Sequence, residues 1–239
     1  MTEQIGAALR LLYPDGRAIT PDSATDDFSL KSLCEDNVYS LTLTPRRAGL
    51  ALAAVEYDIP LPHDLTDVPE ELYIYDDSAY TNDFTSVVPY VGNEARTVYN
   101  LAVFKNLRTR KVFLCGLLTA HRFLAMFNLH DGLVTLRFDL EERELHAGEA
   151  YLLERFMVAE GTDNENVLLE AYGDAVAACN GARPDKPLPV GWCSWSCYYG
   201  NVNEEKIRRA ADGQATYTRA GESNLIQIDD GWQRCGSFC

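Results

Sequence analysis

The sequence predicts a protein of two structural classes, an antiparallel β-sandwich followed by the beginning of a parallel α/β unit. Three observations predict it. From about residue 4 to 160, apolar residues mostly recur at the period of strands, with no helical pattern between them. At Thr162 the pattern changes to a single helix, closed by a glycine and three prolines. The remaining segment reads strand, helix, strand over about 40 residues, which is a βαβ unit. These breaks divide the chain into residues 1–161 (sandwich), 162–189 (linking helix and Pro-rich linker) and 190–239 (α/β).

In the first part, "VYSLTLTP" places Tyr39, Leu41 and Leu43 on one face and Ser40, Thr42 and Thr44 on the other. "LVTLRFDL" alternates in the same way through Val134, Leu136, Phe138 and Leu140. "HDG" at 130–132 marks a turn joining this run to "RFLAMFNL" before it. Further strands are expected at "LRLLY", "LALAAVEYDI", "ELYIYDD", "TVYNLAVFKN", "KVFLCGLLTA" and "YLLERFMVAEG", and the stretch from about 60 to 95 reads as loop-rich. "TDNE" has the form of a capping box, with Thr162 opposite Glu165. The helix it opens carries an apolar stripe at Val167, Leu168, Ala171, Tyr172, Ala175, Val176 and Cys179, and Gly181 ends it. Beyond the linker, "VGWCSW" is a short apolar strand. Asn203 caps a second helix, with Glu204 and Glu205 in its first turn, and "NLIQIDD" is the second strand.

Composition narrows the function. The net charge of −15 argues against nucleic acid and against an anionic membrane surface, since both need a surplus of Lys and Arg. Residues 187–239 carry a net −1 and residues 1–186 a net −14, so the acidity belongs to the sandwich, mostly as solvated surface. The N-terminus lacks the basic start and apolar run of a signal peptide, and no stretch approaches the length of a membrane span. Seven cysteines, an odd and scattered set, fit reduced thiols and a cytoplasmic location.

The chemistry-bearing residues lie at the C-terminal ends of the two last strands, where parallel α/β folds build their sites. Consecutive acids after a buried strand, Asp229 and Asp230, need hydrogen-bond partners or a ligand. Adjacent strand residues face opposite ways, so the pair does not naturally flank one scissile bond. A break at Gly231 would let both face a sugar, with Trp195 or Trp232 stacked on its ring; the bland reading has one Asp capping the loop and the other solvated. Trp192 and Trp195, three apart on a strand, should face opposite sides, and Trp192 reads as packing. Cys193, Cys197, Cys235 and Cys239 form a C-x3-C pair of pairs that could hold zinc, at a looser spacing than usual; unpaired thiols are the alternative. The four histidines have no metal-ligand spacing, and Ser194 lacks the glycines of a nucleophile elbow.

"PVGWCSWSCYYGNVNEEKI" followed by "NLIQIDDGWQ" resembles the α-galactosidase and raffinose synthase family, glycoside hydrolase family 36. The motifs cover residues 190–233 only. The resemblance implies a large, supersandwich-like N-terminal domain followed by a (β/α)8 TIM barrel, of which these residues form the first βαβ unit. It implies retaining hydrolysis of terminal α-galactosides such as melibiose or raffinose, without cofactor, and allows a homo-oligomer for the intact protein; no residue is assigned to a metal. By the same resemblance Asp229 and Asp230 bind galactose hydroxyls and Trp195 lines the sugar pocket. The family's nucleophile, in a K-x-D motif on the fourth strand, and its acid/base on the sixth have no counterpart in these 239 residues, so this chain has no catalytic residue and is expected to be inactive alone. Some relatives extend a pocket tryptophan from the sandwich; residues 1–191 contain none. Raffinose synthase-like galactosyl transfer remains open within this reading. A stand-alone sandwich module that binds carbohydrate or a partner protein is the alternative from another class.

Overall fold

A computed structural model describes residues 9–20, 26–77, 85–90, 95–183, 185, 190–217 and 225–233. The chain divides into two compact units, Met1–Ala182 and Arg183–Cys239. The first holds two large sheets. Strands β1 (Leu9–Leu12), β2 (Ala18–Ile19), β6 (Ala54–Pro60), β9 (Arg96–Val98), β12 (Leu124–His130) and β13 (Leu133–Asp139) form a six-stranded sheet in the order β2-β1-β6-β13-β12-β9. The eight-stranded sheet contains β3 (Phe28–Glu35), β4 (Val38–Pro45), β7 (Leu72–Asp76), β8 (Ser86–Pro89), β10 (Leu101–Asn106), β11 (Lys111–Leu117), β15 (Tyr151–Leu152) and β16 (Phe156–Thr162). Small pieces complete the unit: β5 (Leu50–Ala51) paired with β14 (Glu144–Leu145), and the single-turn helix α1 (His63–Thr66). Every described pairing in this unit is antiparallel.

The two sheets share one core, which makes the unit a sandwich. Leu9, Leu11, Val55, Phe127, Leu136 and Phe138 of one sheet and Leu41, Leu43, Ile74, Phe104, Phe113 and Phe156 of the other join a single buried cluster. On the outward face of the six-stranded sheet, Arg10 pairs with both Glu56 and Asp58, and Arg137 holds the second Glu56 oxygen at 3.0 Å. Part of the acidity is therefore paired on the sheet rather than simply solvated.

A third layer lies outside the eight-stranded sheet. Helix α2 (Glu165–Asn180) packs Leu168, Leu169, Tyr172, Ala175, Val176 and Cys179 against Val103, Val112, Leu114, Met157 and Ala159. The expected apolar stripe is shifted: Val167 is 59% exposed and Ala171 is also exposed, while Leu169 takes their place. The cap differs as well. Thr162 is the last residue of β16, paired with Lys111, and Asn164 caps the helix by accepting from the Asn166 amide at 3.1 Å. Gly181 ends it in the left-handed conformation, as the sequence predicts. No helix among the described residues is long and apolar enough to cross a membrane.

Tyr172 locks this layer. Its hydroxyl donates to the Leu117 carbonyl at 2.7 Å, and its ring lies over Gly116, where a Cβ would come within 2.4 Å of the ring. Because the hydroxyl pins the ring, Gly116→Ala should cost about 2 kcal/mol, measured as a shift in urea denaturation followed by circular dichroism.

Other differences follow from local physics. The sequence reading assigns no strand to β3, an edge strand with Ser29, Lys31 and Ser32 along it and Leu33 half exposed, so its alternation is faint. "TVYNLAVFKN" is two strands, β9 and β10, in different sheets; "LALAAVEYDI" is likewise split into β5 and β6. Residues 60–95 include α1, β7 and β8, with 78–84 and 91–94 outside the described residues. The "HDG" turn forms with Asp131 and Gly132 both at positive φ.

Candidate sugar-binding site

The second unit contains β17 (Gly191–Cys193), the one-turn helix α3 (Trp195–Tyr198), α4 (Glu204–Tyr217) and β18 (Leu225–Gln227). β17 and β18 pair in parallel, Gly191 with Leu225, Trp192 with Ile226 and Cys193 with Gln227. Asn203 accepts from the Lys206 amide at 2.9 Å and so caps α4 as the sequence predicts. The last segment of the chain, with Cys235 and Cys239, lies outside the described residues, as do the three linker prolines. The five described cysteines are free, and no group of three potential metal ligands occurs among the described residues.

Strand β17 is shorter than expected. It ends at Cys193; Ser194 takes a helical conformation (φ −69°, ψ −27°), and Trp195 begins α3. Trp195 is thus on a helical turn rather than on the strand, and the opposite-face argument for Trp192 and Trp195 does not apply. The Trp195 ring is 42% exposed and meets Tyr199 edge to face at 5.4 Å. Trp192 packs against Tyr198 at 6.0 Å. Trp232, 72% exposed, lines a separate hollow of about 410 Å³ with Val202, Ile207, Arg208 and Ile228.

The two acids differ in environment. Asp229 accepts from the Asp230 amide at 2.8 Å, from the Cys193 thiol at 3.4 Å and from Gln227 Nε2 at 3.3 Å. The Asp230 amide above all, then the Cys193 thiol, holds the Asp229 carboxyl below its ordinary range against the opposing effect of burial. Asp230 turns back on its own loop, Oδ1 accepting from the Gly231 amide at 2.7 Å and from Gln233 Nε2 at 2.6 Å. Its Oδ2 has no hydrogen bond among the described residues, and no cation there pairs with either acid. One carboxylate therefore caps the loop, and the other is tied to the first strand rather than merely solvated.

One close glycine contact and one strained residue set the geometry. Gly231 adopts φ +91°, and a Cβ on it would lie 2.2 Å from the Gly200 carbonyl oxygen. Next to Gly200 in the chain, Tyr199 holds φ 50° and ψ −139°, a conformation that normally requires glycine. A strained residue beside an exposed tryptophan and two acids fits a functional site. Nothing in the local sequence announces it. Ser194 was also not legible as a contributor. It is fully buried, its amide donates to the Gln227 carbonyl at 3.0 Å, and its Oγ accepts from the Asp229 amide at 2.8 Å.

Such a site can accept hydrogen bonds from hydroxyls or pair with a cation, while Asp229 is held in its ionised form and so is poorly suited to donate a proton at neutral pH. No family model matches the sequence. Among solved structures, the chain is similar to the GH36 α-galactosidase AgaA of Geobacillus stearothermophilus in complex with 1-deoxygalactonojirimycin, with a TM-score of 0.57 and 14% identity. The match covers 94% of this chain and 39% of that one. It is also similar to an α-galactosidase from Lactobacillus brevis (TM-score 0.51, 12% identity, 94% of this chain and 38% of that one). A third match is the galactosidase domain of the α-galactosidase–sucrose kinase AgaSK (TM-score 0.51, 14% identity, 90% and 33%). The chain therefore spans about two-fifths or less of these structures, and at such identities the likeness is one of fold. In fold, this chain resembles the α-galactosidases of glycoside hydrolase family 36.

Proposed function

We propose that the chain is the N-terminal portion of a retaining α-galactosidase, whose second unit opens a (β/α)8 barrel and carries part of the galactose subsite. Asp229 and Asp230 accept hydrogen bonds from galactose hydroxyls, and Trp195 offers an apolar face to the ring. The observation that carries this reading is the joining of both strand ends, through Ser194 and Asp229, beside two acids with no cationic partner among the described residues. In this reading the nucleophile and the acid/base are supplied from outside these 239 residues. The role of this chain is to bind and orient, and its location is cytoplasmic. The substrate is a terminal α-galactoside, and the complete protein assembles as a homo-oligomer.

Calorimetry with 1-deoxygalactonojirimycin tests the site. The chain should bind it, and Asp230→Ala should weaken binding about tenfold or more, the equivalent of one charge-assisted hydrogen bond. No release of nitrophenol from an aryl α-galactoside is expected. Turnover by the pure chain, or equal binding after Asp230→Ala, would overturn the proposal.

A second reading, a stand-alone sandwich that binds carbohydrate or a protein, has its own support. On the outer face of the eight-stranded sheet, Tyr73, Tyr75, Val103 and Leu107, with the ion-paired Lys105 and Glu165, line a cleft of about 750 Å³. Binding that survives deletion of residues 183–239 would favour this reading over the first.

A further inference from the structure

We infer that Cys193 and Ser194 are positioning residues for the sugar site, Ser194 fixing the backbone of Asp229 and Cys193 its carboxylate. This rests on the reading of Asp229 as a sugar ligand.

The argument begins where the parallel ladder runs out. The ladder of β17 and β18 has three residue pairs, and the Ser194 amide extends it by one bond to the Gln227 carbonyl. The next donor on β18's side is the Asp229 amide. In a continuing strand it would find a backbone carbonyl, but the chain has already turned into α3. The Ser194 carbonyl is occupied by the amides of Cys197 and Tyr198 at 3.1 and 2.9 Å. The Ser194 side chain takes the place of that carbonyl, its Oγ accepting the Asp229 amide at 2.8 Å. A fully buried hydroxyl in this position fixes where β18 ends and therefore where Asp229 projects.

The side chain of Asp229 is fixed separately. Its Oδ1 takes the Asp230 amide, and its Oδ2 takes the Cys193 thiol and the Gln227 amide nitrogen. All of these donors are neutral. Together with Ser194 they are the groups among the described residues that hydrogen-bond Asp229 from both strands and from its own loop, and no Lys, Arg or His among them forms an ion pair with it. Among the described residues the carboxylate is thus oriented by neutral donors alone, which suits a site whose ligand supplies hydroxyls or a positive charge. Both contacts on Oδ2 are weak, one from a thiol at 3.4 Å and one from Gln227 Nε2 at 3.3 Å, so they orient that oxygen while leaving it open to a stronger donor.

Two measurements on the 239-residue chain test the pair without any ligand. With carboxyl-labelled aspartate, the titration of Asp229 is followed by NMR in wild type, Cys193→Ala and Cys193→Ser. Cys193→Ala should move the midpoint upward, and Cys193→Ser, which restores a donor, should return it toward wild type. In hydrogen exchange, Ser194→Ala should hasten exchange of the Asp229 amide about tenfold, the loss of one hydrogen bond, and Ser194→Thr should restore protection. Titration of Cys193→Ala at the wild-type midpoint, or unchanged Asp229 exchange in Ser194→Ala, overturns the inference.

Binding of 1-deoxygalactonojirimycin is then compared across pH. In Cys193→Ala the acid-side loss of binding should occur at a higher pH than in wild type, by the same amount as the NMR midpoint. Absence of binding in the wild type while the two ligand-free results hold would instead reject the sugar-site reading and leave the roles of Cys193 and Ser194 standing.

Discussion

Gly231→Ala is expected to destabilise the second unit by about 3 kcal/mol, from about 1–2 kcal/mol of positive-φ strain and a similar overlap cost. Gly231 sits at φ +91°, where an alanine is strained whatever the space around it. The added Cβ would fall 2.2 Å from the Gly200 oxygen and 2.6 Å from its carbonyl carbon and Cα. These are backbone atoms of a tight turn, closed by the Asn201 amide on the Tyr198 carbonyl, and they cannot swing away as a side chain would. Tyr199, in that same turn, is already held in a glycine-like conformation, so the turn has little slack left.

All three tryptophans of the chain lie between residues 192 and 232, so tryptophan fluorescence reports on the second unit. The fluorescence-detected urea transition should shift strongly in Gly231→Ala. Gly213→Ala is the control of opposite sign. That glycine lies within α4, a Cβ there meets nothing within 4 Å, and the substitution should stabilise by about 1 kcal/mol. Equal transitions in the two variants would mean that the DDG loop does not rest on the Tyr198–Asn201 turn.

Which features could be read from the sequence follows from burial. Strands β4 and β13 were legible because one face of each is buried and the other faces solvent, so Leu41, Leu43, Val134, Leu136 and Phe138 stand out by alternation. β11 was legible for a different reason. It is covered by the core on one side and by α2 on the other, and Val112–Leu117 is a buried run. Edge strand β3 has neither signature. The break between β9 and β10 was hidden because apolar residues continue on both sides of Tyr99 and Asn100, while the chain passes from one sheet to the other.

The site divides in the same way. Asp229 and Asp230 stand out as candidates because two acids after an apolar strand conflict with their surroundings, while Trp195 is singled out from Trp232 only by the family resemblance. Cys193, Ser194 and Tyr199 do not stand out. Cys193 and Ser194 act on a residue 36 and 35 positions away, and Tyr199 gives no sign of its backbone conformation until the turn is folded.

Glu154 is the other residue whose part the sequence conceals, and replacing it should have the largest effect on the sandwich. The sequence pattern places it inside the strand "YLLERFMVAEG". In the fold that strand is interrupted between β15 and β16, and Glu154 turns inward, 3% exposed. There its carboxylate accepts four hydrogen bonds: from Thr119 Oγ1 at 2.6 Å and from the amides of His121, Arg122 and Phe123 at 2.9, 2.7 and 3.0 Å. Thr119 in turn accepts the Arg155 amide at 2.9 Å. One carboxylate thus replaces the backbone partners that the 119–123 bend gives up. Glu154→Gln keeps the shape but turns an NH2 toward these donors, and should cost about 3 kcal/mol at pH 7, the scale of charge-assisted bonds lost in a buried site.

The pH dependence separates this from a packing defect. Burial pushes the Glu154 carboxyl up, but the bonds from Thr119, Phe123, His121 and Arg122 outweigh it and leave the group below its ordinary value. A carboxyl depressed in the folded state contributes its full stability above the unfolded value, about 4.3, and loses it as pH falls through the folded value. The stability gap between wild type and Glu154→Gln, from urea denaturation followed by circular dichroism, should therefore be constant from neutral pH to about 5 and narrow below it. A gap that does not change between pH 7 and pH 3 would show that the glutamine fails through shape, and that the charge of Glu154 contributes nothing.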